Sequence, residues 1–393
     1  MGKNGKKQRH QHKPTRQRSY YLSQEDDGDY NEHYQENSPS SALSDVASDN
    51  EEEEEEENLG NQNPVNDTPS KFVLYQQSVQ SPKGDISYLQ KFFLMYVGGR
   101  VPLHLQEDFC GTALLSIEWL RGDSRRTVVG VDLDLEALNW CLKNNMGKAG
   151  ADVYSRISLF HGNVLQPLEA RLVQPPEALI GSITLEDRNN GSEASLLGLA
   201  GKMSPDVCTA DKRLKKNIVL PARDIVCAFN YSCCVLHTRR ELITYFRRVL
   251  DVLSKKGGIF VMDVYGGSSS EHELRLQRRF PNFTYVWEQA EFDIIERKTR
   301  VSLHFHLHKQ QRKIRHAFSY SWRLWSLPEI KDCLEEAGFQ SVHFWIRQMP
   351  DTDETRSAEG FGAGRDVKYE EVTTFQQQDA WNAYIVGVAN QNH

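Results

Sequence analysis

The sequence predicts an α/β fold: a doubly wound, mostly parallel sheet of about seven strands, an added antiparallel segment and a disordered N-terminal tail. Three observations carry this expectation. Short β-branched runs alternate with runs of helical period, the alternation gives way once to a stretch of period two, and Met1 to Ser70 contain almost no large apolar side chains.

Ser, Asn, Gln and acidic residues fill the first segment, which includes the run Glu51 to Glu57. Too little apolar surface is present to offset the entropy of ordering, so residues 1–70 read as disordered. They carry 7 Lys and Arg against 16 Asp and Glu, leaving 40 against 38 of the chain's 47 and 54 for the rest. The net charge of −7 therefore belongs to the tail. The near-neutral remainder argues against an electropositive nucleic-acid groove as its main feature. Lys3 to Arg18 form a basic start that reads either as a nuclear address or RNA-contacting arm, or as a solvated tail. It has no amphipathic apolar face, which disfavours a transit peptide.

Residues 71–393 read as one domain. Apolar residues begin at Phe72 to Tyr75, and Ile86, Leu89, Phe92, Phe93 and Tyr96 have the spacing of a leading helix that Gly98 and Gly99 end. Val101 to Phe109 follows as a strand, Thr112 to Leu120 as a helix, and Thr127 to Leu133 as a Val-rich buried strand. Asp134 can cap a helix over Leu135 to Asn145. Further strands are expected at Ile157 to Phe160, Asp224 to Phe229, Ile259 to Val264, Ser341 to Ile346 and Ala380 to Val388. Thr238 with Glu241, and Ser326 with Glu329, have capping-box spacing ahead of two amphipathic helices. The polar stretch 175–217 reads as a flexible insertion, and Phe283 to Trp322 as an antiparallel pair or meander. Strand, helix and strand repeated in this way imply right-handed crossovers, with ligands at the carboxyl ends of the strands.

Seven cysteines (Cys110, Cys141, Cys208, Cys227, Cys233, Cys234 and Cys333) lack the paired C-x-x-C spacing of a zinc site and read as reduced and buried. No apolar run approaches the roughly 20 residues that cross a bilayer. The expected setting is cytoplasmic or nuclear, without a membrane. His304, His306 and His308 share one strand face, which does not converge tetrahedrally, so no metal is expected.

The chemistry centres on Glu107-Asp-Phe-Cys-Gly-Thr-Ala113, where the first strand turns into the first helix and backbone amides face a ligand. The segment resembles motif I of class I, Rossmann-like, S-adenosylmethionine-dependent methyltransferases. In that register Glu107 takes the acidic position and Gly111 the middle glycine, while Phe109 and Ala113 stand where glycines usually lie. Neighbouring strand residues point to opposite sides, so either Glu107 or Asp108 can face the ligand. Val128-Val-Gly-Val-Asp-Leu-Asp134 resembles motif II, which implies that Asp132 accepts hydrogen bonds from the ribose hydroxyls. Phe160 to Val164 resembles the next motif, with Asn163 toward the adenine amino group, and Asp224 to Tyr231 resembles motif IV, with Asn230 and Tyr231 toward the methyl. Gly257 and Gly258 match the turn before the fifth strand, and Tyr75 lies where related enzymes lay a residue over the cofactor. The run EDFCGTA is similar to a subfamily of methyltransferases without an assigned substrate.

The resemblance implies S-adenosyl-L-methionine as cofactor and a small molecule or protein as acceptor. Methyl transfer needs alignment, a dry pocket and a deprotonated nucleophile. Tyr231, Asp263, Tyr265 and Glu288 are the candidate bases, and spacing does not choose among them. Trp287, Trp322, Trp325, Trp345 and Trp381 enrich the second half in aromatics, about one or two of which are expected at the site. A nicotinamide-dependent oxidoreductase is disfavoured because G-x-G-x-x-G is missing. A non-catalytic module of the same fold and an RNA methyltransferase remain alternatives.

Overall fold

The computed structural model describes residues 68–173, 220–349 and 368–390. The expected tail through residue 67 and the insertion 175–217 lie outside these residues. Helices α1 (Lys71–Ser78) and α2 (Pro82–Tyr96) lead into β1 (His104–Asp108), α3 (Leu114–Arg121) and β2 (Thr127–Asp132). Next come α4 (Leu135–Cys141), prolonged by a π-turn over Leu142–Met146, then α5 (Ala151–Arg156), β3 (Ile157–His161) and β4 (Arg171–Leu172). After β5 (Ile225–Ala228), α6 (Arg239–Val252) and β6 (Ile259–Gly266), an antiparallel run follows: β7 (Leu274–Arg279), β8 (Phe283–Gln289), β9 (Lys298–Leu307) and β10 (Arg312–Arg323). Helix α7 (Leu327–Ala337), β11 (Ser341–Gln348), β12 (Glu370–Val372) and β13 (Trp381–Val388) complete the described chain.

The main sheet has the order β12-β11-β13-β6-β5-β1-β2-β3-β4. Strands β3, β2, β1, β5 and β6 are parallel, while β13 runs antiparallel between β6 and β11. The two short strands β4 and β12 extend the expected seven to nine among the described residues. The chain builds outward from β1 through β2 and β3, then returns to β5 on the other side, so the switch of direction falls between β1 and β5.

Period two explains why both faces are covered. Ile225 and Cys227 of β5 enter the core beneath α2, α3 and α4, and Val226 and Ala228 enter the core beneath α6 and α7. Strands buried on both sides read as continuous apolar runs, which is how they stand in the sequence. Both capping boxes form: Thr238 with Glu241 opens α6, and Ser326 with Glu329 opens α7. The antiparallel sheet, ordered β10-β9-β8-β7, starts one strand before the expected meander. In β7 the outward residues are Arg275, Gln277 and Arg279, and the inward ones include Arg278 near its end, so its apolar alternation is weak.

Among the described residues no helix is long and apolar enough to cross a membrane. The six described cysteines are free and buried, and Cys208 lies outside the described residues.

Candidate functional site

A cavity of ≈ 450 Å³ opens at the carboxyl ends of the parallel strands, across the switch point. Its floor comes from the turn after β1, Asp132 at the end of β2, the turn after β5 and Asp263 on β6. The antiparallel sheet roofs it with Tyr285, Trp287, Leu303, Phe318, Tyr320 and Trp322. These residues alternate along β8, β9 and β10, so each strand turns one face to the cavity. Two of the five tryptophans singled out in the sequence, Trp287 and Trp322, are among them. Helices α1 and α2 and the link between them supply a side wall that includes Tyr75, Gln80 and Asp85. Gln76 of α1 donates to Thr112 Oγ1 at 2.7 Å, tying that wall to the first turn.

The first turn keeps a glycine-like backbone without the usual glycines. Phe109, Gly111 and Ala113 have φ of 57, 52 and 50°. Non-glycine residues in this region cost on the order of 1–3 kcal/mol each unless packing fixes them. Phe109 is fixed by an edge contact with Tyr245 at 5.8 Å, and Ala113 is fully buried. A Cβ built on Gly111 would meet nothing within 4 Å, which means that this position faces open cavity. Asp132 organises the same place: Oδ2 accepts from Gly111 N at 2.6 Å and Oδ1 from Asp134 N at 2.7 Å. Burial pushes its pKa above the ordinary aspartate value, and these two N–H groups oppose that push.

Glu107 and Asp108 stand away from the cavity. Glu107 turns beneath α3, where Oε2 accepts from Ser116 N at 3.0 Å and Ser116 Oγ at 2.5 Å. Asp108 points to the opposite side and accepts from Gln106 Nε2 at 2.9 Å and the Tyr245 hydroxyl at 3.0 Å. Both are structural acids that join strand to helix. Burial pushes Glu107 up to about 8 and Asp108 up to about 6.

Because the folded chain holds a proton on Glu107 well above the ordinary glutamate range, stability from this site is full below about pH 4.5 and declines as pH rises toward 8. Glu107→Gln should therefore gain on the wild type, by on the order of 3 to 5 kcal/mol between pH 5 and pH 9. Urea unfolding of both proteins at each pH measures the gain, and parallel pH profiles would refute it.

The turn after β5 also uses left-handed backbone, with φ of 59° at both Asn230 and Tyr231. Asp263 holds it: Oδ1 accepts from Tyr231 N at 2.8 Å and Oδ2 from Asn230 N at 3.1 Å. Burial raises Asp263 to about 7 against the pull of these amides. Tyr231 lines the cavity and donates its hydroxyl to Asn382 Oδ1 at 3.1 Å.

Of the other candidates, Tyr265 lines a separate cavity of ≈ 190 Å³ between the two sheets and donates to Gln289 Oε1 at 3.1 Å. Glu288 lies on the opposite face of β8, paired with Arg275. Asn163 caps its own turn, accepting from Leu165 N at 2.9 Å, and is outside the cavity lining. His304 Nδ1 accepts from His316 N at 3.0 Å, and His308 pairs with Thr284 Oγ1 at 2.9 Å, so two of the three strand histidines have protein partners.

The far end of the cavity contains groups that the sequence did not single out. Asp85 accepts from the Tyr384 hydroxyl at 2.5 Å, and burial raises it to about 6 against the pull of that bond and of Arg347. Arg347 lies over the Tyr369 ring, 4.8 Å from its centroid. In the sequence Asp85 reads as a first-turn helix acid and Arg347 as a strand-end charge, with no local signal for either.

No protein-family model matches the chain, and no curated protein matches it. Among solved structures, it is similar to an S-adenosylmethionine-dependent methyltransferase from Clostridium acetobutylicum, at 14% identity and a TM-score of 0.48, over 81% of this chain and 98% of that one. It is also similar to the CcbJ methyltransferase of Streptomyces caelestis, at 11% identity and a TM-score of 0.46, over 81% and 96%. A third is the sugar N-methyltransferase KedS8 of Streptoalloteichus, at 13% identity and a TM-score of 0.46, over 84% and 98%. At such distances the functional reading rests on the cavity itself.

Proposed function

We propose that this chain is an S-adenosylmethionine-dependent methyltransferase acting on a small molecule. The observation that carries the reading is the pairing of Asp132 with Gly111 at the switch point of the parallel sheet. A carboxylate has about four lone-pair sites. Two of those on Asp132 are used by backbone amides, leaving acceptors on both oxygens for two adjacent ribose hydroxyls. Gly111, with open space where a side chain would be, lets a ligand approach the backbone. Tyr75 and Asn230 lie on the same cavity, which supports their assignment to the cofactor; Glu107 and Asp108 support it only indirectly, by fixing the turn.

When bound, S-adenosylmethionine supplies an electrophilic methyl group on a sulfonium. The residues of this chain orient the partners and exclude water beneath the aromatic roof. Asp263 is the preferred base, because it lines the cavity and its pKa, raised by burial to about 7, suits proton acceptance at neutral pH. Tyr231 is held beside it through Asn382 and shapes the acceptor end. The roof favours a small molecule over folded protein or RNA.

Calorimetric titration with S-adenosylmethionine and S-adenosylhomocysteine tests the proposal. Micromolar-range binding is expected, and no binding by folded protein would sink the reading. Gly111→Val should lose binding by about tenfold or more, since it places a β-branched residue at φ 52° and fills the space that the cofactor needs.

A further inference from the structure

The cavity extends well beyond what Asp132 can use. Strands β2 and β11 are five spacings apart in the sheet, about 24 Å at the usual distance between neighbours. Strand β11 is antiparallel to β13, as β6 is, so β11 and β6 run the same way and their carboxyl ends share one edge. Asp132 and Arg347 therefore mark opposite ends of one cavity. A cofactor with its ribose on Asp132 and its methyl near Asn230 leaves the Arg347 end for a second molecule.

The cavity lining is chemically incomplete. Three buried polar side-chain atoms on the cavity lining have no hydrogen-bond partner: Gln80 Oε1, Trp322 Nε1 and Arg347 Nε. Such atoms are costly unless a ligand satisfies them. Arg347 has no carboxylate within ion-pair distance among the described residues, and it is the only cationic side chain among the described residues of the lining. It faces an otherwise acidic cavity, with Asp85 and Asp263 nearby. One arginine balances a single negative charge, and the two carboxylates would repel a doubly charged phosphate. The aromatic roof supplies an apolar surface for the remainder of the molecule.

Resting on the methyltransferase reading, we propose that the methyl acceptor is a small monocarboxylate with an apolar or planar body, its carboxylate on Arg347, its body beneath Trp322 and Trp287, and at its other end a hydroxyl or amine that takes the methyl as the C–S bond breaks and gives its proton to Asp263. Guanidinium and carboxylate are matched in shape, and the bond is charge-assisted.

The test uses benzoate and its neutral isostere benzamide, each titrated into the full chain with and without S-adenosylhomocysteine and followed by calorimetry. Benzoate is expected to bind at least about tenfold tighter than benzamide, as one charge-assisted bond implies. Arg347→Met should abolish that preference, and Arg347→Gln carries the same expectation if the first variant does not fold. Benzoate no tighter than benzamide, including binding of neither, overturns the proposal. So does a preference that survives both substitutions, or phenyl phosphate binding tighter than benzoate. Absence of S-adenosylhomocysteine binding would instead strike the methyltransferase reading, because the benzoate preference is measured in its absence as well.

Discussion

Asp132→Ala is expected to weaken S-adenosylhomocysteine binding by about 100-fold or more while leaving the fold intact. Hydrogen bonds to a charged group contribute about 1.5–3 kcal/mol each, so two ribose contacts account for that factor. The substitution also frees Gly111 N and Asp134 N, the two amides that Asp132 pins, so the turn at the cofactor end loses its anchor. Asp132→Asn should fall between the two, because its amide nitrogen cannot accept from either amide. Calorimetry gives the affinities and circular dichroism the integrity of the fold. An alanine variant that binds within threefold of wild type would remove Asp132 from the cofactor site.

The largest stability effect is expected at Asp224, remote from the cavity. The residue is 3% exposed, and its side chain ties three strand starts together. Oδ2 accepts from Leu103 N at 2.7 Å and His104 N at 3.0 Å, at the start of β1. Oδ1 pairs with Arg100, whose other nitrogen donates to the Gly257 carbonyl at 2.8 Å just before β6. Removing one partner of a buried charged pair costs about 3–5 kcal/mol, less here because the Arg100 side chain is 32% exposed, and the two stranded amides add to it. Against a typical total of about 5–15 kcal/mol, Asp224→Ala should lower the urea midpoint severely or prevent folding. Asp224→Asn, which keeps one acceptor, should lose less. A loss below about 1 kcal/mol for alanine would show that the knot is solvated.

The two acids differ in how visible they are in the sequence. Asp132 follows a Val-rich strand and precedes a capped helix, a local arrangement that the chain order carries. Asp224 was legible only as the edge of a strand. Its partners are 120 to 124 residues away, and nothing in a local window links them.

The same contrast separates the fold from the site. Element order, both capping boxes and the doubly buried strands were legible because hydrophobic period and cap chemistry act over a few residues. The turn after β1 was legible too, although its left-handed positions include Phe109 and Ala113 rather than glycine alone. The sequence could say that Glu107 and Asp108 oppose each other. It could not say that both would face helices, because sheet order and helix placement decide what lies over each face. Roof and far end belong wholly to tertiary structure: Asp85 meets Tyr384 across 299 residues, and Arg347 reaches the cavity only because β13 inserts antiparallel beside β6. By itself the sequence determined a parallel sheet with a tight turn after its first strand. What encloses that turn, and which charges line the cavity beside it, was decided by long-range packing, since contacts between distant residues leave no periodic trace along the chain.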